Sequence, residues 1–160
     1  MTLYLLDANV LIRAHEDYSP VDRIPQYWTW LLEKAAADII KMPRRIFDEV
    51  TPPPGPFADW LKQPEVKDTL VLKERAVGVQ LVLQKGYAPD LDDVEIEKIG
   101  KDPFLIAAAM AGPDRVVVTK EVSKPKLTRA NRKVPDVCNT LGVLAITDFR
   151  LYSILKFTIP

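Results

Sequence analysis

Short, continuous apolar runs recur along the chain and are separated by amphipathic segments. The runs cover residues 2–6, 39–40, 115–118 and 143–146. An apolar run without polar alternation is typical of a parallel strand that is covered on both faces. Residues 69–74 fit either an edge strand or the start of a helix. The pattern therefore predicts a sheet that is mainly parallel.

The segments between these runs have helical periodicity. Between residues 25 and 37, Trp28, Leu31, Leu32 and Ala35 fall on one stripe, which predicts a helix packed on the sheet. Further helices are expected at residues 7–16, 43–50, 56–63, 76–85, 103–111, 135–141 and 147–156. This alternation predicts a three-layer α/β/α fold with a mainly parallel central sheet. We expect one domain, covering residues 1–160.

Composition narrows the classes of function. Lys and Arg number 22, as do Asp and Glu, so the formal net charge is zero. The whole molecule therefore cannot act as a diffuse polycation on nucleic acid, and such binding requires a local patch. Cys138 is the only cysteine, which argues against a disulfide scaffold and favours a reducing compartment. The apolar run that ends at Leu6 is too short for a signal peptide core or a membrane span. We expect a cytoplasmic protein without a membrane partner.

Several carboxylates lie where chemistry is expected in an open parallel sheet, beyond the carboxyl ends of the strands. Asp7 directly follows the first strand, and Glu121 follows the strand at 115–118. Glu49 and Asp102 lie on or at the start of helices that are able to cover the same edge. Structural explanations stay open at this point. Asp7 and Asp102 also fit helix N-caps. Glu49 fits a solvated helix face, and Asp136 fits a helix-start acid favoured by the dipole.

A basic segment runs from residue 120 to residue 133. Its cations are Lys120, Lys124, Lys126, Arg129, Arg132 and Lys133, against the single acid Glu121. Many such runs are only solvated loops, but the position directly after a strand at the active edge favours contact with phosphates. We therefore expect the segment to bind a polyanionic substrate through Lys124, Lys126, Arg129 and Arg132.

Four segments together resemble the motifs of PIN-domain ribonucleases. LYLLDANVLI, with Asp7, is similar to the opening strand and helix of that family, and PRRIFDEV is similar to the helix that carries the second acid, Glu49. DPFLIAAAMA resembles the helix with the third acid, Asp102. RVVVTKE resembles the strand that ends in Thr119 and an acid, Glu121. The order fits nearly the whole chain, and the segments RAHEDYSPVDRIPQYWTWL and KVPDVCNTLGV resemble a toxin-like PIN subfamily.

The resemblance implies a PIN-like fold and an endoribonuclease that hydrolyses RNA phosphodiesters with Mg²⁺ or Mn²⁺. Hard divalent cations of this kind prefer oxygen ligands. Asp7, Glu49 and Asp102 would hold the metal. VapC-like toxins commonly have Asp at the fourth position, where this chain has Glu121, and Asp136 is the other candidate. Glu121 is favoured, because it follows the strand end by a spacing that points its side chain to the same side as Thr119.

Two uncharged polar residues lie among these acids. Asn9 and Thr119 can each hold an acid in place or contact the substrate, and both alternatives stay open. His15 is the only histidine, which argues against a zinc site.

The resemblance to toxins also implies partners. Besides the RNA substrate, it implies a cognate antitoxin protein and allows a homodimer. Two other functions remain open. One is a non-catalytic interaction module with a PIN fold. The other is a phosphatase with an aspartyl nucleophile, which requires a second Asp two residues after Asp7, where this chain has Asn9.

Overall fold

The computed structural model describes residues 1–160 and contains one central sheet of five parallel strands. The strands are β1 (Leu3–Leu6), β2 (Ile40–Pro43), β3 (Val71–Leu72), β4 (Arg115–Val118) and β5 (Leu144–Ile146). Their order across the sheet is β3-β2-β1-β4-β5, and every neighbouring pair is parallel. Helices flank the sheet. The predicted α/β class with a mainly parallel central sheet is confirmed.

Ten α-helices connect or follow the strands. They are α1 (Ala8–Arg13), α2 (Pro25–Ala36), α3 (Arg44–Asp48), α4 (Pro56–Lys62), α5 (Pro64–Leu70), α6 (Val79–Val82), α7 (Asp93–Ile99), α8 (Asp102–Met110), α9 (Val134–Thr140) and α10 (Asp148–Ile154). Two of them continue as π-helical turns, α1 through Ala14–Tyr18 and α6 through Leu83–Tyr87. A 3-10 turn covers Arg129–Asn131.

The hydrophobic core lies on both faces of the sheet, which explains why the strands are apolar without alternation. Leu5, Leu6, Val117 and Val118 are fully buried in β1 and β4. The predicted stripe of α2 packs inward, with Trp28, Leu31 and Ala35 buried and Leu32 partly buried. None of the helices combines the length and the hydrophobicity that a membrane span requires.

The strand order creates a crevice at one edge of the sheet. The chain moves outward from β1 to β2 and β3, and then returns to form β4 on the other side of β1. At such a switch point the loops that leave the two central strands diverge, and ligands bind beyond the carboxyl ends of these strands. Leu6 is paired with Val118 in the register of β1 and β4. Asp7 and Thr119 are therefore neighbours at the mouth of the crevice.

Candidate functional site

Three carboxylates from distant parts of the chain meet at this crevice. Asp7, Asp102 and Glu121 each place an oxygen so that the three atoms lie within 4.8 Å of one another. Asp7 follows β1, Asp102 is the first residue of α8, and Glu121 lies in the loop after β4. The sheet edge and one helix start thus bring together three of the predicted acids.

Asp7 is buried and held in one orientation by three donors. Its Oδ1 accepts a hydrogen bond from the backbone N–H of Ala8 at 2.8 Å. Its Oδ2 accepts from the hydroxyl of Thr119 at 2.8 Å and from the amide of Asn9 at 3.3 Å. Asp7 therefore caps α1, as the local sequence allowed, and also belongs to the cluster. A carboxylate has about four acceptor positions, so it retains capacity for one further partner.

Thr119 and Asn9 connect the strand ends to the acids. Thr119 Oγ1 donates to Asp7 and accepts from the backbone N–H of Glu121 at 3.1 Å. Asn9 Oδ1 accepts from the backbone N–H of Lys120 at 3.1 Å, while its amide group donates to Asp7. Of the two roles considered for these residues, the structure shows the positioning one. Contact of Asn9 and Thr119 with the substrate stays a prediction.

Asp102 has no capping function, so the cap explanation is wrong for this residue. The N-cap of α8 is Lys101, and Asp102 lies inside the helix with no side-chain bond to the backbone. Burial raises its pKa to about 8, and the negative charges of Asp7, Glu121 and Glu49 add to the increase. A nearby cation would stabilise the ionised form of this carboxyl group.

The other two acids of the cluster respond in the same way. Burial raises the pKa of Asp7 in spite of its three hydrogen bonds. Burial and then the charge of Asp7 raise the pKa of Glu121. Lys133, whose Nζ lies 3.9 Å from Glu121 Oε1, offsets only part of this repulsion. The cluster is therefore an electrostatically strained group of like charges.

Glu49 lies at the rim of the cluster. It ends α3 as its C-cap, and its side chain is exposed. It is not among the three acids within 4.8 Å of one another. Partial desolvation and the charge of Asp7 raise the pKa of Glu49, and the charge of Glu49 contributes to the raised pKa of Asp102. Glu49 is thus within electrostatic range of the site and on its solvent side.

Asp136 is not among the three acids whose oxygens lie within 4.8 Å of one another. Its carboxylate accepts a hydrogen bond from the hydroxyl of Ser123 and another from the backbone N–H of Lys124 at 2.8 Å. The hydrogen bond from Ser123 keeps the pKa of Asp136 below its usual value. This residue, predicted as an alternative fourth carboxylate, instead anchors the loop after β4 to α9.

The two arginines of the basic segment make internal bonds rather than facing an open surface. Their partners are Asp90 and Glu95 for Arg129, and the carbonyls of Gly86 and Asp136 with the Thr140 hydroxyl for Arg132. Lys120 also forms an internal ion pair, with its Nζ 2.9 Å from Oδ2 of buried Asp148. To contact a phosphate as predicted, Arg129 and Arg132 would have to give up these internal bonds. Only Lys124 and Lys126 in the segment are exposed and without an ion pair.

Two buried residues behind the acids were not singled out for this role by the sequence. Tyr87 is 7% exposed and its hydroxyl has no hydrogen-bond partner. Burial, together with the charges of Asp102 and Glu121, raises its pKa. Cys138 is fully buried, and burial followed by the charge of Asp7 raises its pKa to about 12. A buried thiol with a raised pKa stays protonated at neutral pH.

The donor chemistry of the cluster fits a hard divalent cation. Its available ligands are carboxylate oxygens, with the unpartnered Tyr87 hydroxyl within electrostatic range. His15 accepts from the backbone N–H of Val21 and stacks on Phe57, so no imidazole joins the site. Oxygen-only sites suit Mg²⁺ and Mn²⁺ better than zinc. Such an ion would also offset the burial and the mutual repulsion that raise the pKa values of the acids.

Comparison with known proteins gives a family assignment without a described activity. No curated protein and no solved structure matches the chain. One family model, described as a domain of unknown function (DUF4411), matches residues 4–159, which include all the acids of the site and the whole sheet except Leu3. The chain therefore belongs to the DUF4411 family.

Proposed function

We propose that this protein is a Mg²⁺- or Mn²⁺-dependent endoribonuclease of PIN-like architecture. The observation that carries the proposal is the convergence of Asp7, Asp102 and Glu121 at the carboxyl edge of a parallel sheet, with their oxygens within 4.8 Å of one another. The choice of RNA as substrate is supported by the similarity of the four acid-bearing segments to PIN ribonucleases.

Asp7, Asp102 and Glu121 would hold the metal, and Glu49 would act from the rim. A bound divalent cation supplies an activated water and offsets the charge that grows on a phosphodiester under attack. The contribution of the protein is preorganisation. The three donors to Asp7 fix its carboxylate, and the bond from the Glu121 backbone to Thr119 ties the second loop to the same point.

Lys133 is placed to assist at the same site. Its Nζ lies 3.9 Å from Glu121, and its side chain is 36% exposed. An ammonium group in this position remains able to pair with a phosphate oxygen that enters from solvent. It would add a fixed positive charge beside the scissile phosphate without being a metal ligand.

The proposal extends to a role as the toxin of a type II toxin–antitoxin pair in the cytoplasm. Its support is the sequence similarity to toxin-like PIN proteins. An antitoxin would have to cover the crevice, because a segment that shields the acids would exclude both metal and RNA. The proposed partner is therefore a protein that reaches the loops after β1 and β4.

Asp102→Asn tests the proposal against a matched control, Asp93→Asn. Asp93 is also the first residue of a helix, but it is exposed and lies outside the acid cluster. We expect Asp102→Asn to weaken Mn²⁺ binding in a calorimeter by at least about tenfold, and to abolish Mn²⁺-dependent cleavage of a mixed RNA pool. Asp93→Asn should leave both unchanged.

The outcomes separate the competing functions. Mn²⁺ binding without cleavage of any RNA would contradict the nuclease proposal and favour the interaction module. Absence of Mn²⁺ binding by the unaltered protein would contradict the metal site itself. For the toxin proposal, expression of the unaltered protein in a bacterial host should arrest growth, and Asp102→Asn should relieve the arrest. Equal growth with both proteins would contradict that part.

A further inference from the structure

A second surface lies at the same edge of the sheet and has no part in the acid cluster. We call it the arginine groove. It is a surface cavity of about 450 Å³ whose walls include Arg44, Arg45, Arg75 and Phe104. Its floor includes Pro43 and Leu72, which end β2 and β3. The groove is therefore on the side of the sheet where ligands of parallel sheets bind.

The groove presents uncompensated positive charge. Arg44, Arg45 and Arg75 are exposed, and none of them forms an ion pair within the chain. Glu74 is the one acid in the wall, and both of its oxygens accept from the guanidinium of Arg115, at 3.0 and 2.6 Å. In a molecule of zero net charge, this is a local patch of the kind that polyanion binding requires.

Phe104 gives the groove an aromatic surface, which the basic segment at 120–133 lacks. The ring is partly exposed, with the Arg45 guanidinium carbon 5.4 Å and the Lys101 ammonium 5.8 Å from its centre. Phe104 lines the groove and is partly exposed, so a ligand in the groove is able to contact part of its ring. Positive charge around an aromatic face is the combination by which proteins bind single-stranded nucleic acids.

Two helices supply residues to both the groove and the acid site. α3 carries Arg45, and one turn later it ends at Glu49. α8 begins at Asp102 and carries Phe104 on its first turn. A chain bound along the groove is therefore directed to the acids by rigid elements rather than by a loop.

We propose that the arginine groove binds single-stranded RNA, with phosphates paired to the arginines and one base packed on Phe104. The inference rests on the proposed nuclease function for its substrate class. A duplex fits less well, because its bases are stacked inside and offer no face to an aromatic side chain. The strand would run from the groove across Lys101 to the acid cluster.

The test is binding of a fluorescent single-stranded RNA of mixed sequence, measured by anisotropy in EDTA so that no cleavage occurs. Arg45→Gln with Arg75→Gln should weaken binding and reduce the magnitude of the salt slope by about 1.4, the value for two lost phosphate contacts on a single strand. Phe104→Leu should weaken binding by about tenfold or more with little change in the slope, and Phe104→Tyr should restore it. The charge-matched control is Arg23→Gln with Arg150→Gln, because both residues are exposed and outside the groove.

The comparison surface is the basic segment, tested as Lys124→Gln with Lys126→Gln. Weakening by this pair, with none from the groove variants, would overturn the inference, as would a Phe104→Leu variant that binds as the unaltered protein does. Failure of the nuclease proposal is visible separately. Groove-dependent binding without metal-dependent cleavage would leave the groove standing and remove the nuclease. Metal-dependent cleavage with an unchanged KM in the groove variants would support the nuclease proposal and contradict the groove proposal.

Discussion

Glu121 and Asp136 are close in sequence, but their carboxylates have opposite environments. Glu121 is partly desolvated beside Asp7, and this raises its pKa. Asp136 accepts hydrogen bonds from Ser123 and Lys124, and its pKa is lowered. An acid with a raised pKa destabilises the metal-free fold as an anion, whereas one with a lowered pKa stabilises it. Ionised Asp136 therefore stabilises the metal-free fold, whereas ionised Glu121 destabilises it.

Replacing each acid by its amide should separate these roles. Glu121→Gln removes one of several crowded negative charges, so the metal-free protein should melt at the same or a higher temperature while its Mn²⁺ affinity falls. Asp136→Asn retains one acceptor but loses a charged hydrogen bond, which should cost about 1–2 kcal/mol of unfolding free energy. Its Mn²⁺ affinity should be nearly unchanged. Thermal melts and calorimetry on both variants measure this, and the reverse pattern would move the fourth carboxylate to α9.

At the scale of elements, the sequence predicted best where one period dominates a segment. β1 and β4 are continuous apolar runs because both of their faces are covered, and α2 keeps its stripe over three turns. Because these strands are correctly predicted, the acids that follow them are correctly predicted at the carboxyl edge of the sheet. The position of Asp102 is also predicted correctly, although its local sequence fits an N-cap that the helix does not use.

Other features could not be read from local pattern. α5 and α7 were not predicted, although Asp92 and Glu95 form a capping box at the start of α7, because neither helix has a long apolar stripe. Pro43, expected in a first helical turn, ends β2 instead. The partners of Arg129 are 34 and 39 residues away. A single sequence does not reveal such pairings, so the segment was predicted to be free for phosphate binding.

The π-helical turn after α6 is held against α9 at Gly86. A Cβ at this position would lie 2.6 Å from Val137 Cγ1 and 3.1 Å from Leu141 Cδ1. Val137 is fully buried, so it has little space to move away. Gly86→Ala should therefore destabilise the protein by about 1–3 kcal/mol through overpacking. Because the same turn carries Tyr87 behind the acids, Mn²⁺ affinity should fall as well.

Lys85→Ala is the control for this element. Lys85 is in the same turn but exposed, so its truncation should change the unfolding free energy by less than about 0.5 kcal/mol. Denaturant unfolding of both variants measures the difference. A Gly86→Ala protein as stable as the unaltered one would show that α9 can shift without cost.

Across the whole molecule, a net charge of zero conceals a separation of charge at one edge of the sheet. The acids gather where β1 and β4 diverge, and the unpaired arginines lie at the ends of β2 and β3. Both sets depend on the strand order, because a different order would place β2 and β3 away from β1. The topology thus puts a proposed cation site next to a proposed polyanion site.

This arrangement predicts how stability depends on pH in the absence of metal. Burial and neighbouring charge raise the pKa of Asp102 from 3.8 to about 8. Between these values the folded protein retains a proton that the unfolded chain has released, so the unfolding free energy falls as pH rises. Asp7, Glu49 and Glu121 shift in the same direction. In EDTA, the melting temperature should therefore decrease from pH 6 to pH 8.

Divalent metal should reverse this trend, because it binds the carboxylates only after they lose their protons. An ion at 100 times its Kd adds about 2.7 kcal/mol to the unfolding free energy. Because the affinity is higher at pH 8, a fixed concentration of Mn²⁺ or Mg²⁺ should raise the melting temperature more at pH 8 than at pH 6. Asp102→Asn should flatten the metal-free pH profile and reduce the response to metal. The control Asp93→Asn should leave the pH profile and the metal response unchanged. The measurement is a set of thermal melts at pH 6, 7 and 8 with EDTA or metal. A metal-free protein that becomes more stable toward pH 8 would mean that the three acids are not strained, and the main physical reason for a cation at this site would be lost.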